Sequence, residues 1–255
     1  MELSHQELLD FLEAKYEQYN RPEFIETDPI SVPHRFTRKE DIEIAAFLTA
    51  TISWGNRPSI VKDADKLLGM MEFSPYEFIL YSGRTEIERF ESFYHRTFNG
   101  MDCIFFLESL KNIYQHHEGL ESLFLPDDIS GIKGALSRFR STFLEIDHPL
   151  RSEKHIADPC KGASAKRLLM FLRWMVRNDQ GGVDFGLWKK ITPSILMCPL
   201  DIHSGNVARK LGLLKRKQND WKAVEELTEN LRQFDPEDPV KYDFALFGLG
   251  VFEQF

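Results

Sequence analysis

The sequence predicts an all-α protein built from two helical lobes. Helix-start signals recur along the chain, and the apolar residues behind them repeat at spacings of three and four. Strand-like alternation is scarce. The one tight-hairpin dipeptide, Asn99-Gly100, falls between two helical patterns.

Each element follows from local chemistry. Ser4 and Glu7 have capping-box spacing, and Leu8, Leu12, Tyr16 and Tyr19 follow on one helical face. Thr37 and Glu40 repeat the box ahead of Ile42, Ile44, Ala45, Phe47 and Leu48, an apolar face broad enough for a buried helix. Ser74-Pro75 with Glu77 opens a third helix. Further helices are read over residues 101–117, 131–146, 163–178, 202–214, 220–233 and 239–252, the last started by Asp238-Pro239. Breaks fall at Asn20–Pro33, Pro126–Gly134, Asp147–Gly162 and residues 178–182. The expected lobes are residues 34–178, and residues 1–33 joined with 179–255.

Composition narrows the function classes. The 255 residues are 42% hydrophobic and include 21 Phe, 4 Trp and 7 Tyr, which excludes a disordered chain. Apolar runs such as Cys103–Leu107 reach only five residues, so no membrane-spanning helix is expected. The polar opening reads as lacking a signal peptide, and a cytoplasmic location is expected. Cys103, Cys160 and Cys198 form no clustered pattern, so neither a disulfide framework nor a zinc or iron–sulfur site is expected. No cofactor is called for, and the sequence names no protein partner. Net charge is −8, yet residues 151–217 carry 14 Lys or Arg against 5 Asp or Glu. That basic stretch is either an anion-binding face or a cluster on solvated helices.

Two segments carry candidate chemistry. In the first, the small residues Gly162 to Ala165 lead into an apolar helix, whose first amides would present an anion site. Lys166, Met170, Arg173 and Arg177 share one stripe of that helix. Lys166 either reaches to solvent or is held in a cleft. In the second, Asp201 stands before a helical pattern as an N-cap, with His203 two residues on. Asp-x-His is also half of a metal site, but no second pair accompanies it, and metal binding is not expected.

Together these segments resemble the helix-hairpin-helix DNA glycosylase superfamily. Its hairpin, Leu-Pro-Gly-Val-Gly-x-Lys, is matched in degenerate form: Gly162 precedes Lys166 by four, Ser164 replaces the second glycine, and Cys160-Lys161 replaces Leu-Pro. Its later Val-Asp-x-His motif is matched at Asp201, His203, Val207, Lys210, Leu211, Gly212 and Leu213, with Leu200 for the Val. Ala46–Ser53 is similar to the family's early DNA-facing helix, with Thr51 at its Gln position. The 35-residue spacing from Lys166 to Asp201 looks most like that of the archaeal 8-oxoguanine glycosylase branch. The whole chain, including Phe171–Arg177 and Asp238–Asp243, resembles a bacterial family of conserved proteins of unknown function.

The resemblance implies two all-helical lobes with the hairpin at their junction, and a DNA repair glycosylase/lyase acting on damaged duplex DNA. Lys166 would attack the sugar C1′ and form a Schiff base; Asp201 would activate it and shuttle protons. A lysine of ordinary pKa ~10.4 must lose its proton to attack. Burial and the neighbouring Arg167, Arg173 and Arg177 are read as lowering that pKa. Lys161, Gly162, Arg167, Arg173, Arg177 and His203 are the expected DNA contacts. Trp54, Trp174, Phe244 and Phe247 either line a pocket for a flipped base or are plain core. Two alternatives stand beside this reading: a non-catalytic DNA-binding or scaffold protein of the same fold, and a hydrolase using Asp201 and His203 with a metal.

Overall fold

A computed structural model describes residues 3–127, 129–179 and 181–255. Asp128 and Gln180, which fall in two of the expected breaks, and the first two residues of the polar opening lie outside the described residues. The helices are α1 (His5–Tyr19), α2 (Pro22–Ile25), α3 (Lys39–Ile52), α4 (Arg57–Gly69), α5 (Pro75–Tyr81) and α6 (Arg84–Glu88). After a two-stranded ladder, β1 (Tyr94–His95) and β2 (Phe98–Asn99), come α7 (Gly100–His116), α8 (Leu120–Leu123), α9 (Gly131–Phe143), α10 (Lys166–Val176), α11 (Ile202–Lys210), α12 (Trp221–Arg232) and α13 (Asp243–Val251). Among the described residues the protein is all-α apart from that ladder. No helix among the described residues is long and apolar enough to cross a membrane.

Helix starts obey the local rules, with informative exceptions. Ser4 and Glu7 form the expected box on α1. Thr37 does not cap α3: the helix begins at Lys39, and Glu40 and Asp41 in its first turn complement its dipole instead. Ser74 precedes α5 without a side-chain cap bond, and Asp41 accepts from the Tyr76 amide at 2.9 Å in its place. Asn99-Gly100 is not a hairpin turn. Asn99 caps α7 reciprocally with Asp102, while the ladder turns at Arg96-Thr97, with Arg96 at φ +53°. Helix α4, absent from the sequence reading, is capped by Asn56 and buries Ile60, Ala64, Leu67 and Leu68.

The chain divides into two compact units, a central one of Ile25–Asp158 and a terminal one combining the chain up to Phe24 with Pro159–Phe255. These bounds differ from the expected 33 and 178: residues 25–33 belong to the central unit and α10 to the terminal one. The segment after α10 folds back along it: the Phe185 and Trp188 amides donate to the Trp174 and Met175 carbonyls, at 2.8 and 2.9 Å. Phe171 packs edge-on against Trp188.

The central unit is organised by phenylalanine. Phe47, Phe106, Phe139 and Phe143 from α3, α7 and α9 meet ring to ring, and Phe98 and Phe105 extend the cluster. In the terminal unit α13 is the hub, packed on α1 and α11. Gly248 of α13 lies directly beneath the Tyr19 ring, where a Cβ would overlap it. Gly248→Ala should therefore destabilise the protein by ~1–3 kcal/mol, as overpacking does. A urea midpoint equal to wild type would contradict that close approach.

Candidate functional site

The turn before α10 is shaped by two left-handed residues. Gly162 has φ +91°, and its exposed position leaves open space where a Cβ would lie. Ala165, the residue before α10, sits at φ +50°, ψ +29°, a conformation that costs a non-glycine residue roughly 1–2 kcal/mol. The turn is held from outside by the start of α12. Gly162 accepts from the Trp221 amide at 3.0 Å, and Ala163 bridges to Asp220. No side chain caps α10, whose first residue is Lys166.

Lys166 Nζ donates to Asp201 Oδ2 at 2.7 Å. Asp201 divides its carboxylate between two tasks. Oδ1 accepts from the Ser204 amide at 3.0 Å and its hydroxyl at 3.2 Å, capping α11, while Oδ2 holds the lysine. The backbone beneath is fixed as well: Asn219 Nδ2 donates to the Asp201 carbonyl at 2.9 Å, and Arg209 orients Asn219 at 2.6 Å. Both side chains keep some solvent access, 28% for Lys166 and 22% for Asp201, so the pair is reachable. Burial works against the Asp201 charge. The Lys166 ammonium, the bonds from Lys166 and Ser204, and nearby His203 outweigh it and hold the carboxyl below the usual range.

Arg173 and Arg177 do not face solvent. They are 4% and 1% exposed, which corrects their expected role as phosphate contacts. Beyond its first turn, the stripe running from Lys166 enters the interior. There Arg173 Nε donates to Asp184 at 3.3 Å and Nη1 to Asp243. Arg177 donates to Asp238 at 2.7 Å, to Asp184 at 3.2 Å and to the Tyr16 hydroxyl at 2.6 Å, and pairs with Asp179. Both guanidiniums lie over the Phe244 ring, at 4.2 and 5.5 Å. Burial pushes Asp243 up to about 6; Arg173 and Lys166 oppose the rise, and Asp201 and Asp184 add to it.

Residues 28–252 match the family described as protein of unknown function (DUF2400). The chain belongs to the DUF2400 family. No curated protein and no solved structure matches it.

The other expected site residues of this DUF2400 protein scatter. Lys161 is exposed at the turn, and His203 is exposed on the first turn of α11. Arg167 is half-buried, and burial lowers its pKa to about 10, which leaves it cationic at neutral pH. Trp174 and Phe244 are fully buried, so neither offers a face for a flipped base; both are core. Phe247 is half-buried, edge-on to Phe24. Trp54 belongs to the central unit, where it stacks on His155 with centroids 6.0 Å apart. Thr51, at the position of the superfamily's Gln, is buried within α3. Among the described residues no three His, Cys, Asp or Glu side chains gather as a metal site, so nothing adds to the Asp201–His203 hydrolase reading. Cys103 and Cys198 are buried, and Cys160 is exposed.

Sequence reasoning missed Asn219 and Asp243. Asp243 lay within a noted resemblance, but nothing local marks it as the partner of an arginine 70 residues away.

Two outcomes follow for the DUF2400 fold. Arg177→Ala leaves Asp184 and its neighbours short of a counter-charge and should cost ~3–5 kcal/mol in urea denaturation. An unchanged midpoint would show the network to be dispensable. Second, an unfolded aspartate titrates near ~3.9, whereas folded Asp243 does so at about 6. Between those values the native state holds a proton the unfolded chain has released, so this group makes stability fall as pH rises. Asp201 has the opposite sign: its contribution is full above the ordinary aspartate range and is lost as pH falls through its lowered pKa. Side-chain carboxyl NMR should show the two midpoints displaced in opposite directions; one shared midpoint would contradict the geometry.

Proposed function

We propose that this DUF2400 protein is a DNA repair glycosylase/lyase that removes a damaged base through a Schiff base on Lys166. The observation that carries the reading is the 2.7 Å contact between Lys166 and Asp201, partly open to solvent at the end of a strained turn. A bifunctional glycosylase needs an amine with a proton acceptor against it. Asp201 Oδ2 takes a proton from the Lys166 ammonium, and the neutral Nζ attacks the sugar C1′. The C1′–Nζ bond forms as the bond to the base breaks, and the base leaves with that electron pair. One of the two protons left on Nζ passes to the departing base; the Nζ lone pair then expels O4′, which takes the proton held by Asp201, so the sugar ring opens to the protonated imine. Once it has given up its proton, Asp201 is anionic again and faces the cationic imine.

The double duty of Asp201 gives the reading a sharp test. Asp201→Asn keeps an oxygen for the Ser204 amide, and Asn caps helices about as well as Asp. It presents Lys166 with neither a proton acceptor nor a negative charge. Folding should thus survive while turnover on lesion-bearing duplex falls ~100-fold or more. Lys166→Gln should abolish the borohydride-trapped adduct, because an amide cannot form an imine. A wild-type protein that gives no adduct with oxidised bases or abasic sites, or an Asp201→Asn variant of normal turnover, would refute the enzyme. A non-catalytic DNA-binding protein would then be the better description.

A further inference from the structure

With Arg173 and Arg177 consumed inside the fold, a nucleic-acid ligand needs another anchor. The terminal unit holds a shallow cavity of about 530 Å³ lined by Lys215, Arg216, Lys217, Gln218, Lys222 and Glu226. Lys215, Lys217 and Lys222 are exposed, and among the described residues their ammonium groups have no ion-pair partner. The nearby carboxylates are otherwise engaged. Asp220 holds Arg216, with Nε to Oδ1 at 2.6 Å, and Glu226 accepts from the Lys215 backbone amide at 2.6 Å. In a protein of net charge −8, three like charges gathered without partners repel one another until an anion arrives.

The loop is preorganised. Arg209 donates to the carbonyls of Arg216 at 2.8 Å and Lys217 at 3.0 Å, and Asn230 to that of Leu213 at 2.8 Å. It is also bonded to the candidate site, since Asn219 holds the Asp201 carbonyl, Asp220 bridges to Ala163, and the Trp221 amide holds Gly162. Lys161 and Lys222 therefore flank a direct backbone bond. Three lysines on one lining can each meet a separate phosphate, which a phosphodiester chain offers and a single compact phosphate does not. The lining carries no apolar side chain of the kind that inserts into a lipid surface.

We propose that the cavity of Lys215, Lys217 and Lys222 grips the sugar–phosphate backbone of duplex DNA beside the Lys166–Asp201 pair. The placement rests on the glycosylase reading; the grip itself does not.

The test is the salt dependence of binding to an undamaged duplex, for wild type and the triple variant Lys215→Ala, Lys217→Ala, Lys222→Ala. Each lost phosphate contact should flatten the slope of log affinity against log salt by about 0.9, so the triple variant should lose about 2.7. Lys62→Ala, which removes an exposed charge from the central unit, should leave the slope unchanged. At saturating lesion-bearing DNA the triple variant should still trap as much adduct as wild type. A triple variant with the wild-type slope, or a Lys62→Ala variant as flattened per charge, overturns the proposal. So does lysine-dependent binding to anionic lipid vesicles with duplex affinity unaltered. A protein that loses slope in the triple variant but never traps an adduct supports the grip and refutes the enzyme. One that traps an adduct with an unaltered slope does the reverse.

Discussion

The terminal unit is arranged around two guanidiniums that have no water to turn to. Arg173 stands in the last turn of α10 and Arg177 caps its C-terminal end, and both are buried. A buried charge is tolerated only where opposite charge and hydrogen bonds replace its hydration. The replacements come from distant stretches of chain: Asp179 and Asp184 just after α10, Asp238 and Asp243 near the C-terminus, and the Tyr16 hydroxyl from α1. The need to bring those groups to α10 explains why the first helix and the last hundred residues form one unit. Phe244 beneath both cations makes the arrangement partly apolar, which favours arginine over lysine.

Helix α10 thereby holds its other end, with Lys166, in a set position. There a single carboxylate does two jobs. Asp201 terminates α11 and receives Lys166, so the geometry of the pair is tied to the start of a helix rather than left to two flexible side chains. Asn219 and Arg209 fix the backbone beneath it. Capping and lysine pairing are coupled at this residue, so a substitution that removes the cap disturbs α11 together with the pair.

Electrostatics grade the carboxylates of this region by their surroundings. Asp201, partly open and bonded by Lys166 and Ser204, is kept acidic, whereas Asp243, closed off from water, rises to about 6 despite its bond to Arg173. Aspartates held at different acidities beside one lysine are the raw material of acid–base chemistry. Lys215, Lys217 and Lys222, which have no ion-pair partner among the described residues, lie in the same unit, on a segment tied to the same turn.

Much of this was already present in the sequence by itself. The all-α class, the Ser4 box and Asp201 as an N-cap depend on residues three or four apart, a short-range rule that held at these positions and gave way at Thr37 and Ser74. Pairing Lys166 with Asp201 came from a resemblance, since 35 residues separate them and no local rule joins them. Tertiary structure decided the rest. Periodicity placed Lys166, Arg173 and Arg177 on one stripe but did not say what the stripe meets; the interior claimed the two arginines because their carboxylates lie up to 70 residues away. Trp174 and Phe244 became core for the same reason, and α10 joined the terminal unit because the segment after it folds back along the helix. Local order is written within one turn of helix, whereas burial and charge pairing are properties of the folded chain, so only the fold could show which cations remain free for a ligand.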